Sequence, residues 1–136
     1  MQTSIKNNRY RLKPHEVVAL QKLRETETRN ILVIGDLHLP FCLDGYLDWC
    51  LEQYETFNCN QVIFIGDILD NHAFSYHEPD VNGDSAGLEL EKSIEQVAEW
   101  YKAFPVADVC IGNHDRMASR KAMTGGIPAA WIRSYN

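Results

Sequence analysis

The sequence predicts an α/β fold in which three parallel βα units carry polar residues at one edge of a sheet. Three short apolar runs, typical of buried strands, are separated by segments with helical periodicity. Each run is followed at once by glycine and by potential metal ligands; the runs are 31–34, 62–65 and 109–111. Because strands separated by helices form parallel sheets through right-handed crossovers, the three polar clusters should share one edge. Ligands of open α/β sheets bind just beyond the carboxyl ends of the strands.

The helices and strands are predicted in the order αβαβαβα. Pro14 suits the first turn of a helix that runs to about residue 27. Asp44 can cap the second helix, and Asp84 or Ser85 opens a third that ends near residue 103. The remaining ranges are a short helix over about 116–123 and strands over about 30–35, 61–65 and 106–111. The apolar residues with helical spacing are Val17, Val18, Leu20 and Leu23 in the first helix, Leu47, Cys50, Leu51 and Tyr54 in the second, and Leu90, Ile94, Val97 and Tyr101 in the third.

Length and composition predict an ordinary single domain. The chain has 136 residues, of which 45% are hydrophobic and 24% are charged, and this suits one soluble globular unit. The formal net charge of −6 argues against a broad electrostatic grip on nucleic acid or on an anionic membrane. A small phosphate site is compatible with that charge, because bound divalent cations would reverse it locally.

Two regions are expected along the chain. Residues 1–28 would form a basic arm, with Lys6, Arg9, Arg11 and Lys13, followed by the N-terminal helix, and residues 29–136 would form the functional domain. No apolar stretch resembles a signal peptide or reaches bilayer length, which predicts a cytoplasmic protein without membrane contact. The four cysteines lack CxxC spacing, and Cys50 and Cys110 fall within apolar patterns, which favours reduced thiols in the core.

The three polar clusters contain residue types that bind divalent metals. They read Gly35-Asp36-Leu37-His38, Gly66-Asp67-Ile68-Leu69-Asp70-Asn71-His72 and Gly112-Asn113-His114-Asp115. Asp36 and His38 are two residues apart, so at an extended strand end their side chains would point the same way and could share one ion. Asp67 could bridge two ions, since a carboxylate has two oxygens.

The third cluster adds a neutral ligand and a proton donor. Asn113 offers a carbonyl oxygen, which suits Mn²⁺, Mg²⁺ or Fe, and His38 shifts the preference towards Mn, Fe or Zn. His114 is placed to donate a proton to a leaving-group oxygen. Two ions about 3.5–4 Å apart would activate a water and clamp the phosphate oxygens. Turns and helix caps would explain any one of these clusters alone, but not all three in this order.

The clusters resemble the first three signature blocks of the calcineurin-like metallophosphoesterases. The matching motifs are Asp36-x-His38, Gly66-Asp67-x-x-Asp70 and Gly112-Asn113-His114-Asp115. The resemblance covers about residues 30–116 and implies part of an αββα sandwich, namely the three parallel βα units of its N-terminal half. It implies one metal ion on Asp36, His38 and Asp67 and a second on Asp67 and Asn113. Mn²⁺ is the favoured metal, with Fe, Zn and Mg as alternatives.

The same resemblance implies a catalytic role for two further residues. His114 would be the acid or clamp of the transition state, oriented by Asp70, whereas Asp115 is usually not a ligand in the family. The reaction implied is hydrolysis of phosphomonoesters or phosphodiesters.

The chain departs from the family after the third block. Family members continue with a metal-ligating histidine and then a Gly-His-x-His block, whereas no histidine follows His114 here. On the family pattern, the first metal lacks one ligand and the second lacks two. We therefore expect a truncated or split form, whose partner is a missing C-terminal half or another copy of the chain.

Two classes of function remain after this comparison. One is a phosphoesterase, and the other is an inactive scaffold of the same fold, which the missing histidines favour. A nuclease is compatible with the third block, although the net charge does not indicate nucleic acid. A protein phosphatase is disfavoured, because Ile111 and Asp115 stand where that family has Arg and Glu.

Several residues near the clusters have no assigned role. His72, His77 and Arg116 could meet a substrate phosphate or could be solvated at the surface. The aromatic residues are expected to pack rather than to stack on bases; they are Tyr46, Trp49, Phe74, Tyr76 and Trp100.

Overall fold

Helices and strands alternate along the chain in the predicted order. The structure, a computed structural model, describes residues 12–25 and 29–132. The helices are α1 (Pro14–Glu25), α2 (Tyr46–Thr56), α3 (Ala86–Ala103) and α4 (Met117–Thr124), and the strands are β1 (Ile31–Ile34), β2 (Gln61–Phe64) and β3 (Asp108–Val109). Within the described ranges, no helix is both long enough and apolar enough to cross a membrane. Of the predicted basic arm, residues 1–11, with Lys6, Arg9 and Arg11, lie outside these ranges, and the side chain of Leu23 is not among those described.

The three strands form one parallel sheet in the order β1-β2-β3, which confirms the predicted α/β class. Ile31 pairs with Gln61 at the start of β1, and Phe64 pairs with Val109 at the end of β2. The three strands therefore end at the same edge. β3 is two residues long and shorter than predicted, although the Cys110 N–H still donates to the Phe64 carbonyl at 2.8 Å.

One face of the sheet is buried under α2 and α3. Alternate strand residues, Leu32 and Ile34 in β1 and Val62 and Phe64 in β2, point into this core. The Phe64 ring lies 5.9 Å from the Trp100 ring, measured between centroids. Burying each such side chain contributes about 1.5–3 kcal/mol, so this layer is what holds the strand ends in place.

The face of α3 that turns inward is not the apolar stripe that the sequence favoured. Leu90, Ile94 and Tyr101 are exposed, and only Val97 of that stripe packs against the core. The buried positions of α3 are Glu89, Ser93 and Trp100. Polar side chains replace apolar ones in the first turns because the neighbouring loops present backbone N–H and C=O groups that need partners.

The helix starts and the cysteines agree only in part with the sequence predictions. The Ser85 hydroxyl oxygen caps α3 by accepting the Leu88 N–H, as predicted, whereas Gly45 rather than Asp44 precedes α2. All four cysteines are free thiols, but Cys110 is exposed, as are both residues of β3, so the prediction of a core thiol is wrong for Cys110. Cys50 is fully buried, and burial raises the pKa of its thiol, which keeps it protonated and unreactive.

The loops after β2 and β3 touch at two glycines. Gly66 has a φ of 107°, and a Cβ there would lie 2.5 Å from the amide nitrogen and 2.7 Å from the Cα of Gly112. A Cβ on Gly112 would in turn collide with Asp67. Neither position can hold a side chain, so the two backbones approach each other directly.

We expect Gly66→Ala to lower the free energy of unfolding by about 3 kcal/mol, because it combines a disallowed φ with a backbone clash. Gly87→Ala is the matched control, since a Cβ there meets no atom within 4 Å. Because Gly87 lies inside α3, that change should stabilise the protein by about 0.5–1 kcal/mol. Chemical denaturation of both variants measures the difference. Equal midpoints for Gly66→Ala and the wild type would contradict the described contact.

Candidate metal centre

Three loops meet at the carboxyl edge of the sheet. We call residues 35–40 the first site loop, 65–72 the second and 110–116 the third, since they follow β1, β2 and β3. In the first site loop, Leu37 and Leu39 are buried, whereas Asp36 is exposed and His38 is half-buried. The two leucines anchor the loop in the core, and the side chains of Asp36 and His38 stay at the surface.

Backbone hydrogen bonds align the first site loop with the second. The His38 N–H donates to the Asp67 carbonyl at 2.9 Å, and the Leu39 N–H donates to the Ile68 carbonyl at 2.9 Å. The Asp70 N–H returns a bond to the Leu39 carbonyl at 3.0 Å. These bonds continue the parallel pairing of β1 and β2 beyond the strands, so they fix His38 beside Asp67.

The Asp115 carboxylate joins the second site loop to the third. One oxygen accepts the N–H groups of Ile68 and Leu69 at 2.9 and 3.1 Å, and the other accepts the Gly112 N–H at 2.8 Å. In addition, the His114 N–H donates to Asp67 Oδ1 at 2.8 Å. Charge-assisted bonds of this kind are stronger than neutral ones. They keep the third loop against Asp67.

Asp36, His38 and Asp67 form a group that could hold a metal ion. Each offers one ligand atom, and these atoms all lie within 4.8 Å of one another. The group draws on two different strand ends, which the pairing described above brings together. Two carboxylates and one imidazole match the donor set expected from the sequence.

A second group of three surrounds Asp70. His38 Nδ1 lies 2.7 Å from Asp70 Oδ1, and His114 Nδ1 lies 2.6 Å from the Asp70 main-chain carbonyl and 3.7 Å from Asp70 Oδ1. The two imidazole rings meet edge to face with centroids 4.7 Å apart. Ligand atoms of these three residues also lie within 4.8 Å of one another. The short distances already describe a hydrogen-bond network, in which the Asp70 side chain contacts His38 and its main chain contacts His114.

Asn113 lies between the two residues that tie the third loop to Asp67. Gly112 approaches the Asp67 side chain, and His114 donates its N–H to the same carboxylate. The Asn113 residue itself is exposed. Its position beside Asp67 is compatible with the second ion predicted on this pair, and the assignment remains a prediction.

The backbone of the site is strained in a way that the sequence did not predict. Among the described residues, five non-glycine residues have a positive φ, and four of them lie in the first two site loops. Those four are Asp36, His38, Asp67 and Asn71, with φ between 40° and 56°. The prediction that Asp36 and His38 lie at an extended strand end is therefore wrong. Left-handed residues cluster at sites where the surroundings hold the strain, and Asp, Asn and His tolerate this conformation best.

Three polar side chains of α3 form hydrogen bonds with the main chain of the first and second site loops and of Ala73. The buried Glu89 carboxylate accepts the N–H groups of His72 and Ala73, both at 2.7 Å. Ser93 Oγ lies 3.0 Å from the Leu39 carbonyl oxygen and 2.7 Å from that of Glu89, either of which can accept its proton, and Gln96 Nε2 donates to the Pro40 carbonyl at 3.1 Å. Their spacing of four and then three residues places them on one face of the helix. The sequence contains that spacing, but the apolar stripe beside it predicts a different inward face for α3.

The residues left without a role lie at different distances from the site. His72 Nδ1 is 4.0 Å from Asp70 Oδ2, so His72 borders the Asp70 network. His77 is exposed, and its N–H donates to Ser75 Oγ within its own loop. Arg116 is exposed at the start of α4, two residues after His114. A cavity of about 450 Å³ opens beside His72, lined by Phe41, Asp70, His72, Asp80, Asp84 and Glu89 among others.

Comparison with known proteins identifies a family. A family model described as calcineurin-like phosphoesterase matches residues 29–136, which is more than half of the chain. No curated protein and no solved structure matches the chain. The matched range contains all three site loops.

Asp115→Asn should weaken both the fold and the metal site. An amide cannot accept at both ends, so at least one of the three N–H groups loses its partner, which costs about 1–3 kcal/mol of unfolding free energy. We expect the affinity for Mn²⁺ to fall by about tenfold, as for other residues that position metal ligands. Thermal unfolding and calorimetric titration with Mn²⁺ measure the two effects. Asp48→Asn on the exposed side of α2 is the matched control. Wild-type values for Asp115→Asn in both measurements would show that the Asp115 contacts do not hold the site.

Proposed function

Because this chain belongs to the calcineurin-like phosphoesterase family, we propose that it is a metal-dependent hydrolase of phosphomonoesters or phosphodiesters. The observation that carries the proposal is the convergence of Asp36, His38 and Asp67 within 4.8 Å. Residues that merely form turns or cap helices have no reason to converge from two separate strand ends. A metal ion needs this convergence, because its ligands must reach one point.

The residues present would supply part of the ligand set for two divalent ions. Asp36, His38 and Asp67 would hold the first, and Asp67 with the amide oxygen of Asn113 would contribute to the second. When bound, the ions supply Lewis-acid polarisation of the phosphate oxygens and a water nucleophile. The mixture of carboxylate, amide and imidazole ligands favours Mn²⁺, with Fe, Zn and Mg as alternatives.

The Asp70 carboxylate has a positioning role in this proposal. Because it contacts His38 Nδ1 at 2.7 Å, it holds the proton of that ring on Nδ1. The other nitrogen, Nε2, is then the one that can bind a metal. Carboxylate–histidine pairs of this type orient the ring and raise the basicity of the ligand nitrogen.

His114 is the proposed acid for the leaving group. A main-chain carbonyl can only accept a hydrogen bond, so the contact of 2.6 Å with Asp70 places a proton on His114 Nδ1. Its Nε2 is left for the substrate, and a quarter of the side chain is exposed. A protonated Nε2 could donate to the oxygen of the departing alcohol.

The purified chain with Mn²⁺ should hydrolyse bis-p-nitrophenyl phosphate or p-nitrophenyl phosphate. Asp67→Ala should lower kcat/KM by at least about 100-fold, since it removes a ligand rather than a residue that merely positions one. Asp48→Ala, which changes the net charge equally at an exposed site on α2, should retain the wild-type rate. Release of p-nitrophenol is followed by absorbance, and circular dichroism checks that each variant is folded.

Two results would count against the proposal. Equal turnover by Asp67→Ala and the wild type would mean that the reaction does not use this site. A folded wild-type chain that neither turns over the esters nor binds any divalent metal would favour a scaffold of the same fold.

A further inference from the structure

Two cations near the site are held by aromatic rings. The Arg120 guanidinium carbon lies 5.2 Å from the centroid of the Tyr76 ring, and Lys121 Nζ lies 4.9 Å from the same centroid. Lys121 Nζ is also 6.0 Å from the Phe74 centroid and donates to the Ser75 carbonyl at 2.8 Å. Rings and carbonyls hold a cation in place without neutralising it.

The same cations lack carboxylate partners. Residues 116–132 contain three basic residues and no Asp or Glu, in a chain of net charge −6. Across the part of the chain that the structure describes, neither Arg120 nor Lys121 forms an ion pair with a carboxylate. Lys92 on α3, by contrast, is paired with Asp84. The positive charge on α4 is therefore available to an anion that comes from outside.

This positive surface is joined directly to the proposed catalytic residues. The Met117 N–H at the start of α4 donates to the His114 carbonyl at 3.0 Å. Arg116 and Arg120 are one helical turn apart, a rise of about 6 Å, which puts two cations in line along the helix. The hydrogen bond from Lys121 Nζ to the Ser75 carbonyl holds α4 against the loop that follows Asp70.

The loop after Asp70 has acidic neighbours in one part and basic neighbours in the next. Residues 72–73 border the cavity that Asp80, Asp84 and Glu89 also line. Residues 74–76 instead contact the cations of α4. An anionic chain leaving the metal centre would be repelled from the cavity and attracted to α4.

An exposed tryptophan lies on the turn that follows α4 in the chain. Trp131 is 81% exposed and ends a 3₁₀ turn, Ala129–Trp131, that packs against α4. A solvated indole on a turn that packs against a cationic helix suits the binding of a single strand, in which phosphates meet cations and bases stack on rings.

We propose that Arg116, Arg120, Lys121 and Trp131 form a binding surface, the α4 surface, for a single nucleic-acid strand. The strand would run from the metal centre along α4, with its phosphates on the cations and a base on Trp131. This inference rests on the proposed phosphoesterase function and assigns its substrate to the phosphodiesters of nucleic acid. The three cations lie within residues 116–121 of a chain with a net charge of −6, and so short a footprint suits a single strand rather than a wide duplex.

The test is binding of fluorescein-labelled oligothymidylate of about twelve nucleotides, read by anisotropy at several salt concentrations. Arg120→Gln combined with Lys121→Gln should weaken binding by about tenfold and reduce the salt slope by about two, one for each lost phosphate contact. Lys102→Gln is the matched control, because this exposed lysine lies in the last turn of α3. It should bind like the wild type. Trp131→Ala should abolish the quenching of tryptophan fluorescence that accompanies stacking.

The outcomes separate this inference from the proposed function. Thermal melting identifies any variant that fails to fold, and Arg116→Gln then replaces it in the comparison. If the wild type hydrolyses the small esters but the double variant binds the oligonucleotide as tightly as the control, the α4 surface is wrong and the proposed function stands. Tighter binding of a duplex or of ATP than of the single strand would also overturn it. Oligouridylate in a parallel titration distinguishes RNA from DNA as the source of the strand.

Discussion

The site depends on one contact, the carboxylate of Asp115 bridging the second and third site loops. It accepts N–H groups from Ile68, Leu69 and Gly112, and it thereby holds the two glycine backbones together. With that contact in place, the His114 N–H reaches Asp67. An ionic acceptor is needed here because three backbone donors from two loops converge, and a neutral side chain could not satisfy them all. The ligands are thus arranged by a residue that the family resemblance left without a metal role.

The sheet and its edge could be predicted because they follow from patterns that are local in the sequence. The runs 31–34 and 62–65 are short, apolar and separated by helical segments, a pattern that favours buried strands. Parallel pairing then places Asp36, Asp67 and Asn113 at one edge without further information. The convergence of Asp36, His38 and Asp67 is the consequence that the structure displays.

What could not be predicted depends on partners distant in the sequence. The inward face of α3 is set by the backbone of the first and second site loops, which need Glu89, Ser93 and Gln96, so the apolar stripe turns outward. The left-handed backbone at Asp36 and His38 is likewise imposed by pairing with the second loop and not by local preference. The positive charge on α4 was not predicted, because the net charge of −6 describes the whole chain. A ligand meets only the local field.

The most direct test of the account is anomalous diffraction from crystals of the chain grown with Mn²⁺. The account predicts an anomalous peak within bonding distance of the carboxylates of Asp36 and Asp67 and of the ring of His38. It also predicts that Asp70 stays hydrogen-bonded to His38 Nδ1 and does not itself bind the ion. A peak enclosed instead by His38, Asp70 and His114, or a crystal with Mn²⁺ elsewhere and none at this edge of the sheet, would contradict it.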